Sequence, residues 1–167
     1  LVSCGNKGGQ EDSTEVAEEQ NEEALGNKTE DDAEFAVEAA DGGLLEVQLG
    51  TLALTKASSP EVKKFAQMMV DDHGKAGAEL KALAASKGVV LPAQLMKRHQ
   101  MMLDELKDEG SAKEFDEAFR REMVVSHKEA ITLFSNAAKN SKDADVKAFA
   151  QKTLPTLTSH GTMAKDL

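Results

Sequence analysis

Two histidines of this 167-residue chain occupy the same position in a repeated pattern. The pattern reads F-x3-M-V-x2-H and runs first from Phe65 to His73 and again from Phe119 to His127. Apolar residues extend it at steps of three and four, which is the spacing of one face of an α-helix. Each imidazole is therefore predicted to point from a helix into a hydrophobic core.

Two further side chains that could bind a metal are predicted on apolar helix faces. Glu46 lies within the apolar face of an earlier helix, and His160 lies on the apolar stripe of the last one. At a rise of about 1.5 Å per residue, all four side chains fall near the middle of their helices. A carboxylate and three imidazoles that converge in a dry core could bind a single copper, zinc or iron ion. Thioethers near imidazoles favour copper(I), and one methionine lies within a turn of each histidine: Met69, Met123 and Met163.

A structural role for the same residues is the main alternative, and it needs no cofactor. One glutamate and three buried histidines can satisfy one another in a hydrogen-bonded network that sets the register of the helices. Methionines at helical spacing also fill cores. A proton-linked switch is a third reading of the cluster. His99 is predicted to cover an end or a flank of the bundle and not to join the cluster.

Capping signals divide the chain into four long helices. Ser59 with Pro60, Ser111 with Glu114, and Asp143 are typical of helix starts, and Gly88 is typical of a helix end. The predicted helices cover about 30–57, 60–87, 111–140 and 143 to the end, with Asp41 among the residues assigned to solvent.

The connection between the second and third long helices spans 22 residues and includes a shorter amphipathic stretch, about 93–108. A connection of this length can run the length of a bundle. The predicted fold is therefore all-α: a ferritin-like four-helix bundle with a short extra helix in the long crossover between helix 2 and helix 3.

Composition and motifs exclude several function classes. The formal charge is −10 and aromatic residues make up 4% of the chain, so nucleic acid is not an expected partner. Di-iron enzymes of this fold carry Glu-x-x-His motifs, whereas Val70, Val124 and Leu157 stand three positions before the histidines. Signatures of nucleotide-binding loops and catalytic triads are missing as well. The sequence predicts no catalytic residues and a protein that is not an enzyme.

The N-terminal region is predicted to anchor the domain. Leu1 to Gly5 looks like the end of a bacterial lipoprotein signal, which implies that Cys4 is lipidated and attaches the protein to a membrane. Residues 1–32 hold ten acidic side chains against two lysines, Lys7 and Lys28. The predicted organisation is a signal remnant at 1–4, a disordered acidic tether at 5–30, which lacks an apolar period, and a bundle domain at 31–167.

Four blocks resemble an uncharacterised family of exported bacterial proteins: residues 39–47, 62–73, 123–127 and 152–160. This is a domain-of-unknown-function family with a ferritin-like fold, often labelled as outer membrane proteins, and the resemblance covers about 33–167. It implies the fold and a place in the bacterial cell envelope. Together with the lipoprotein-type N-terminus, it predicts an outer membrane lipoprotein that faces the periplasm or the cell surface. It implies no established activity.

Two functions are the leading hypotheses, and an oxidoreductase is kept only as a remote third. The first is a non-enzymatic binding or stress-related module of the envelope, whose protein partner the sequence does not reveal. The second is a periplasmic copper-binding or zinc-binding protein that uses the buried Glu/His cluster.

Overall fold

The computed structural model describes residues 12–25 and 30–167, which are helical with short connections and contain no strand. The six helices are α1 (Ser13–Leu25), α2 (Glu30–Lys56), α3 (Pro60–Lys87), α4 (Lys97–Lys107), α5 (Ala112–Asn140) and α6 (Ala144–Asp166). None of them is both long enough and apolar enough to cross a membrane. The all-α prediction is confirmed.

Two helical hairpins form the bundle. Helix α2 packs along α3, α5 packs along α6, and α2 also packs against α5. The backbone N–H of Ser58, in the α2–α3 turn, donates to Asp116 near the start of α5 (3.1 Å). At the other end, Lys87 pairs with Asp143, which precedes α6 (2.7 Å). Helices α3 and α5 therefore start at the same end, so the crossover runs the length of the bundle, as the ferritin-like prediction requires.

The helix limits follow the predicted caps. Ser59 accepts a hydrogen bond from the backbone of Val62, and Ser111 accepts one from Glu114. Gly88 ends α3 with a φ of 71°, a left-handed conformation that glycine adopts without strain. Only the short crossover helix differs in extent, since α4 covers 97–107 and not 93–108.

A polar layer separates two apolar clusters in the core. One cluster, toward the start of α3 and α5, includes Phe65, Met69, Phe119 and Met123. The other includes the interlocked rings of Phe35, Phe134 and Phe149. The three predicted histidines lie between these clusters along their helices, Glu46 lies at the edge of the first cluster, and all four are buried. The bundle therefore holds its polar cluster at mid-height, as the helical spacing predicts.

The predicted disordered tether at 5–30 is wrong for residues 13–25, which form α1. Ala17 and Asn21 are buried, and the Asn21 amide both donates to the carbonyl of Val90 (2.9 Å) and accepts from its N–H (2.7 Å). No apolar period is visible in this segment because its buried face consists of Thr14, Ala17 and Asn21. The predicted signal remnant, lipidation at Cys4 and the rest of the tether, at 5–11 and 26–29, lie outside the described residues and stay predictions.

The assignment of Asp41 to the solvent face is also wrong. The start of α4 covers this position on α2, so Asp41 is fully buried. It accepts a hydrogen bond from the backbone N–H of Met96 (2.7 Å) and bonds Nδ1 of His99. His99 is thus buried on the flank of the bundle, where its hydrogen bond to Asp41 links α4 to α2.

Candidate metal centre

Three histidines from three helices meet in the polar layer. One ring nitrogen from each of His73, His127 and His160 lies within 4.8 Å of the other two. The ring centroids are 5.4 to 5.6 Å apart, and the residues are 6%, 0% and 2% exposed. Helices α3, α5 and α6 therefore bring the three predicted imidazoles together in a buried site.

Each imidazole donates one N–H to an oxygen atom behind it, and that bond determines which nitrogen keeps its lone pair. The bonds are His73 Nδ1 to Glu46 Oε2 (2.8 Å), His127 Nδ1 to the Met123 carbonyl (2.8 Å) and His160 Nε2 to Asp72 Oδ2 (3.1 Å). With these protons in place, the lone pairs fall on Nε2 of His73, Nε2 of His127 and Nδ1 of His160.

Two of these nitrogens are already at a distance suited to sharing a metal. His73 Nε2 and His160 Nδ1 are 3.3 Å apart. Two nitrogens bound tetrahedrally to zinc at 2.0–2.1 Å would be separated by about 3.3 Å. Nε2 of His127 has no hydrogen-bond partner, and among the described residues it is the only buried side-chain nitrogen or oxygen in that state. The third imidazole therefore has a free ligand atom within the cluster.

Glu46 lies behind the imidazoles. Its Oε2 accepts from His73, and its Oε1 accepts from the Ser126 hydroxyl (2.9 Å) and lies 3.4 Å from His127 Nδ1. It is not among the residues whose ligand atoms are mutually close. The carboxylate predicted as a metal ligand is thus placed to orient the rings of its neighbours.

The electrostatics of the cluster favour a charged carboxylate with one protonated imidazole. Burial raises the pKa of Glu46, but the charge and hydrogen bond of His73, with help from His127 and Ser126, outweigh burial and lower that pKa to about 2. Burial lowers the pKa of His73, yet Glu46 overcomes this effect and raises the pKa above its usual range. Of the three imidazoles, His73 is therefore the one that binds a proton most readily.

The pKa values of the other two histidines are lowered, which favours their neutral form. Burial is the main cause that lowers the pKa of His127, and Glu46 only partly compensates. Burial also lowers the pKa of His160, and the neighbouring His73 and His127 lower it further. Neutral imidazoles are the form that binds metal ions.

The predicted methionines pack in the core beside the cluster. Met69 and Met123 are fully buried in the first apolar cluster, and Met163 packs against it. The ring of Phe65 meets the rings of His127 and His160 edge-on at 6.3 and 6.4 Å. This arrangement is typical of core methionines, and a thioether ligand stays a prediction.

Two polar neighbours of the histidines were not predicted as site residues from the sequence. Asp72 and Ser126 directly precede His73 and His127, yet Asp72 orients His160 and Ser126 orients Glu46. A residue next to an inward-facing one lies about 100° around the helix, at the edge of the buried face. The inward position of each histidine in the repeated pattern therefore indicates that the residue before it, Asp72 or Ser126, lies at the edge of the buried face.

The sequence pattern of one protein family matches residues 16–167, which is most of the chain. The chain belongs to the family described as Domain of unknown function (DUF4142). A search of curated protein sequences returned no match.

Solved structures similar to this DUF4142 domain include "CopM in the Cu(II)-bound form", at 22% identity and a TM-score of 0.68. "CopM in the apo form" gives 22% and 0.67, and a DUF305 fragment from Deinococcus radiodurans gives 13% and 0.69. Each match covers 81% of this chain and 93% of the other chain. At these identities the similarity shows a shared fold. The predicted resemblance to a domain-of-unknown-function family is confirmed, and the lipoprotein and outer membrane assignments stay predictions.

Proposed function

We propose that this DUF4142 domain binds one transition-metal ion through Nε2 of His73, Nε2 of His127 and Nδ1 of His160. The observation that carries the proposal is the free Nε2 of His127, which is buried within a cluster of three imidazoles. A metal ion would give this nitrogen a partner and would replace the proton that His73 shares with His160.

A purely structural network accounts for the site less well. The bonds from Glu46 through His73 and His160 to Asp72 form such a network. It leaves His127 Nε2 unsatisfied, at a cost of about 1–3 kcal/mol. In metal sites, the same outer bonds hold the imidazoles in the correct tautomer and raise their basicity. The proposal therefore gives Glu46, Asp72 and the Met123 carbonyl an orienting role.

Copper is the first metal to test. Imidazole nitrogens suit copper, zinc and iron, and three protein donors leave a coordination position open. Similar folds have been solved as CopM with Cu(II), Cu(I) and silver bound. Together with the lipoprotein-type motif at Cys4, these observations support a role in binding copper in the bacterial cell envelope.

Thermal unfolding with and without metal tests the proposal. We expect copper(II), copper(I), zinc or iron(II) to stabilise the wild type by mass action, by about 2.7 kcal/mol at a free concentration 100 times Kd. His127→Ala should lose most of this response. His99→Ala is the matched control, since it removes a buried imidazole outside the cluster and should keep the response even if the variant is less stable.

Two results would contradict the proposal. One is an equal metal-induced shift in the wild type and His127→Ala, and the other is no shift with any of these metals. Elemental analysis of protein purified without chelator gives an independent reading, because about one equivalent of a single metal is expected in the wild type.

A further inference from the structure

A cavity of about 190 Å³ lies beside the histidine cluster, among α2, α3, α5, α6 and the start of α4. Glu46 and His73, which line it, are buried at 2% and 6% exposure. Glu38, Arg98 and Glu129 line it as well and are exposed. The cavity thus extends from the protein surface to the carboxylate that holds His73.

The charged groups around the cavity suit a cation. Its lining includes four carboxylates, from Glu38, Asp41, Glu46 and Glu129, against a single guanidinium, from Arg98, and two imidazoles, from His73 and His99. A cleft with one predominant sign of charge concentrates ions of the opposite sign and raises their rate of entry. The same lining would repel an anion.

Glycines on two facing helices keep the cavity wide. Gly42 and Gly43 of α2 and Gly77 of α3 line it, and a Cβ atom built on any of the three would meet nothing within 4 Å. Gly50 differs, because its Cβ would lie 2.9 Å from the carbonyl oxygen of Ala66, so close helix packing demands glycine there. A helical glycine costs about 1 kcal/mol relative to alanine. Packing therefore does not require glycine at the three positions that line the cavity, and a larger side chain at any of them would extend into free space.

A weak ion pair spans the outer end. Arg98 of α4 and Glu129 of α5 are 3.6 Å apart, with side chains 63% and 57% exposed. Exposed pairs of this kind contribute little to stability and break readily. Arg98 therefore covers the opening without sealing it.

We infer that metal ions reach the three histidines through this cavity. Glu38 and Glu129 attract the cation at the outer end, Glu46 receives it at the inner end, and Arg98 restricts the opening. The inference rests on the proposed function, since it supplies the route to that metal site.

Rapid mixing of the full chain with copper(II) tests the route, with visible absorption as the readout. Only a kinetic phase of the absorbance change that is absent in His127→Ala is assigned to copper binding at the histidine cluster. Gly43→Leu places a side chain in the cavity, and Gly74→Leu is the matched control, an exposed α3 glycine with equal free space outside the cavity.

We expect Gly43→Leu to slow both association and release, on the order of tenfold, because entry would then require the helices to move apart. Its Kd should stay unchanged, and Gly74→Leu should behave as the wild type. Arg98→Ala should speed both steps. Gly77→Leu blocks the cavity from the facing helix and takes the place of Gly43→Leu if that variant loses its helical content.

The outcomes separate the two proposals. If the wild type shows no phase that depends on His127, the proposed function fails and the route fails with it. If copper binds with the expected dependence on His127 but both cavity-blocking variants load at the wild-type rate, only the route is overturned. Equal slowing in Gly74→Leu would also overturn it.

Discussion

His160 depends on Asp72 for the orientation of its ring. Asp72 Oδ2 lies 3.1 Å from Nε2 of His160, and the carboxylate is 36% exposed while the imidazole is buried. Because the proton stays on Nε2, Nδ1 faces His73 with a lone pair. A partly exposed aspartate thereby controls the ligand atom of a buried residue.

Asp72→Asn is expected to weaken copper binding by about 10-fold to 100-fold, because a neutral amide holds the ring and its tautomer less firmly. The thermal unfolding midpoint of the metal-free protein should change little. Competition with a chromophoric chelator measures the affinity.

Asp71→Asn is the control for this experiment, since Asp71 is exposed and bonds Gln67 (3.0 Å) on its own helix. Equal affinities in the two variants would show that Asp72 has no orienting role.

At the scale of helices, α1 holds the crossover against the bundle. Asn21 forms both of its hydrogen bonds to the backbone of Val90, in the segment between α3 and α4. Asp12, just before α1, accepts from the backbone N–H of Lys97 (2.8 Å), and Ser13 accepts from that of Gln94 (3.2 Å). These hydrogen bonds hold the segment that leads into α4 against α1. The start of α4 forms the outer wall of the cavity.

Asn21→Ala is expected to lower the free energy of unfolding by about 1 kcal/mol, because two backbone groups of Val90 lose their partner. The loss stays modest since Val90 is 40% exposed and water can replace part of the bonding. Urea unfolding provides the measurement, with Glu23→Ala on the exposed face of α1 as the control. An unchanged stability in Asn21→Ala would mean that α1 does not contribute to the folded domain.

At the scale of the whole molecule, the polar layer makes the stability of the metal-free bundle depend on pH in two directions. The pKa of His73 is raised in the folded protein above the ordinary histidine value of 6.5. As the pH rises past 6.5, the unfolded chain loses a proton that the folded protein keeps, so the free energy of unfolding falls. The pKa values of His127 and His160 are lowered in the folded protein. As the pH falls below 6.5, the unfolded chain therefore binds protons that the folded protein does not bind, and the free energy of unfolding falls in this direction as well.

We expect the contribution of the cluster to be largest near the ordinary histidine value of 6.5. A further loss should follow as pH falls from the ordinary glutamate value of 4.5 toward about 2, where Glu46 is protonated. Urea unfolding of chelator-treated protein across this range measures the effect.

Glu46→Gln is the comparison for the pH series, because it removes the charge that raises the pKa of His73. The fall in stability above pH 6.5 should flatten in this variant. Identical pH dependence in the two proteins would show that the Glu46–His73 pair is not coupled to folding.

The amino-acid sequence was sufficient to predict the four long helices, the crossover and the inward position of the three histidines. These features depend on spacing and capping within single helices, and a step of three or four residues reports the buried face of a helix wherever that helix packs. The histidines at 73 and 127 could be placed in the core for this reason, and so could His160.

Which side-chain atoms face one another depends on how the helices pack, and this could not be predicted from the sequence. His73 and His160 are 87 positions apart in the chain, and Asn21 and Val90 are 69 apart. Periodicity within one helix carries no information on a partner so distant, so the role of Asp72, the burial of Asp41 under α4 and the docking of α1 could not be predicted. The free nitrogen of His127 depends in the same way on its neighbours from three other helices, and it is the atom on which the metal site depends.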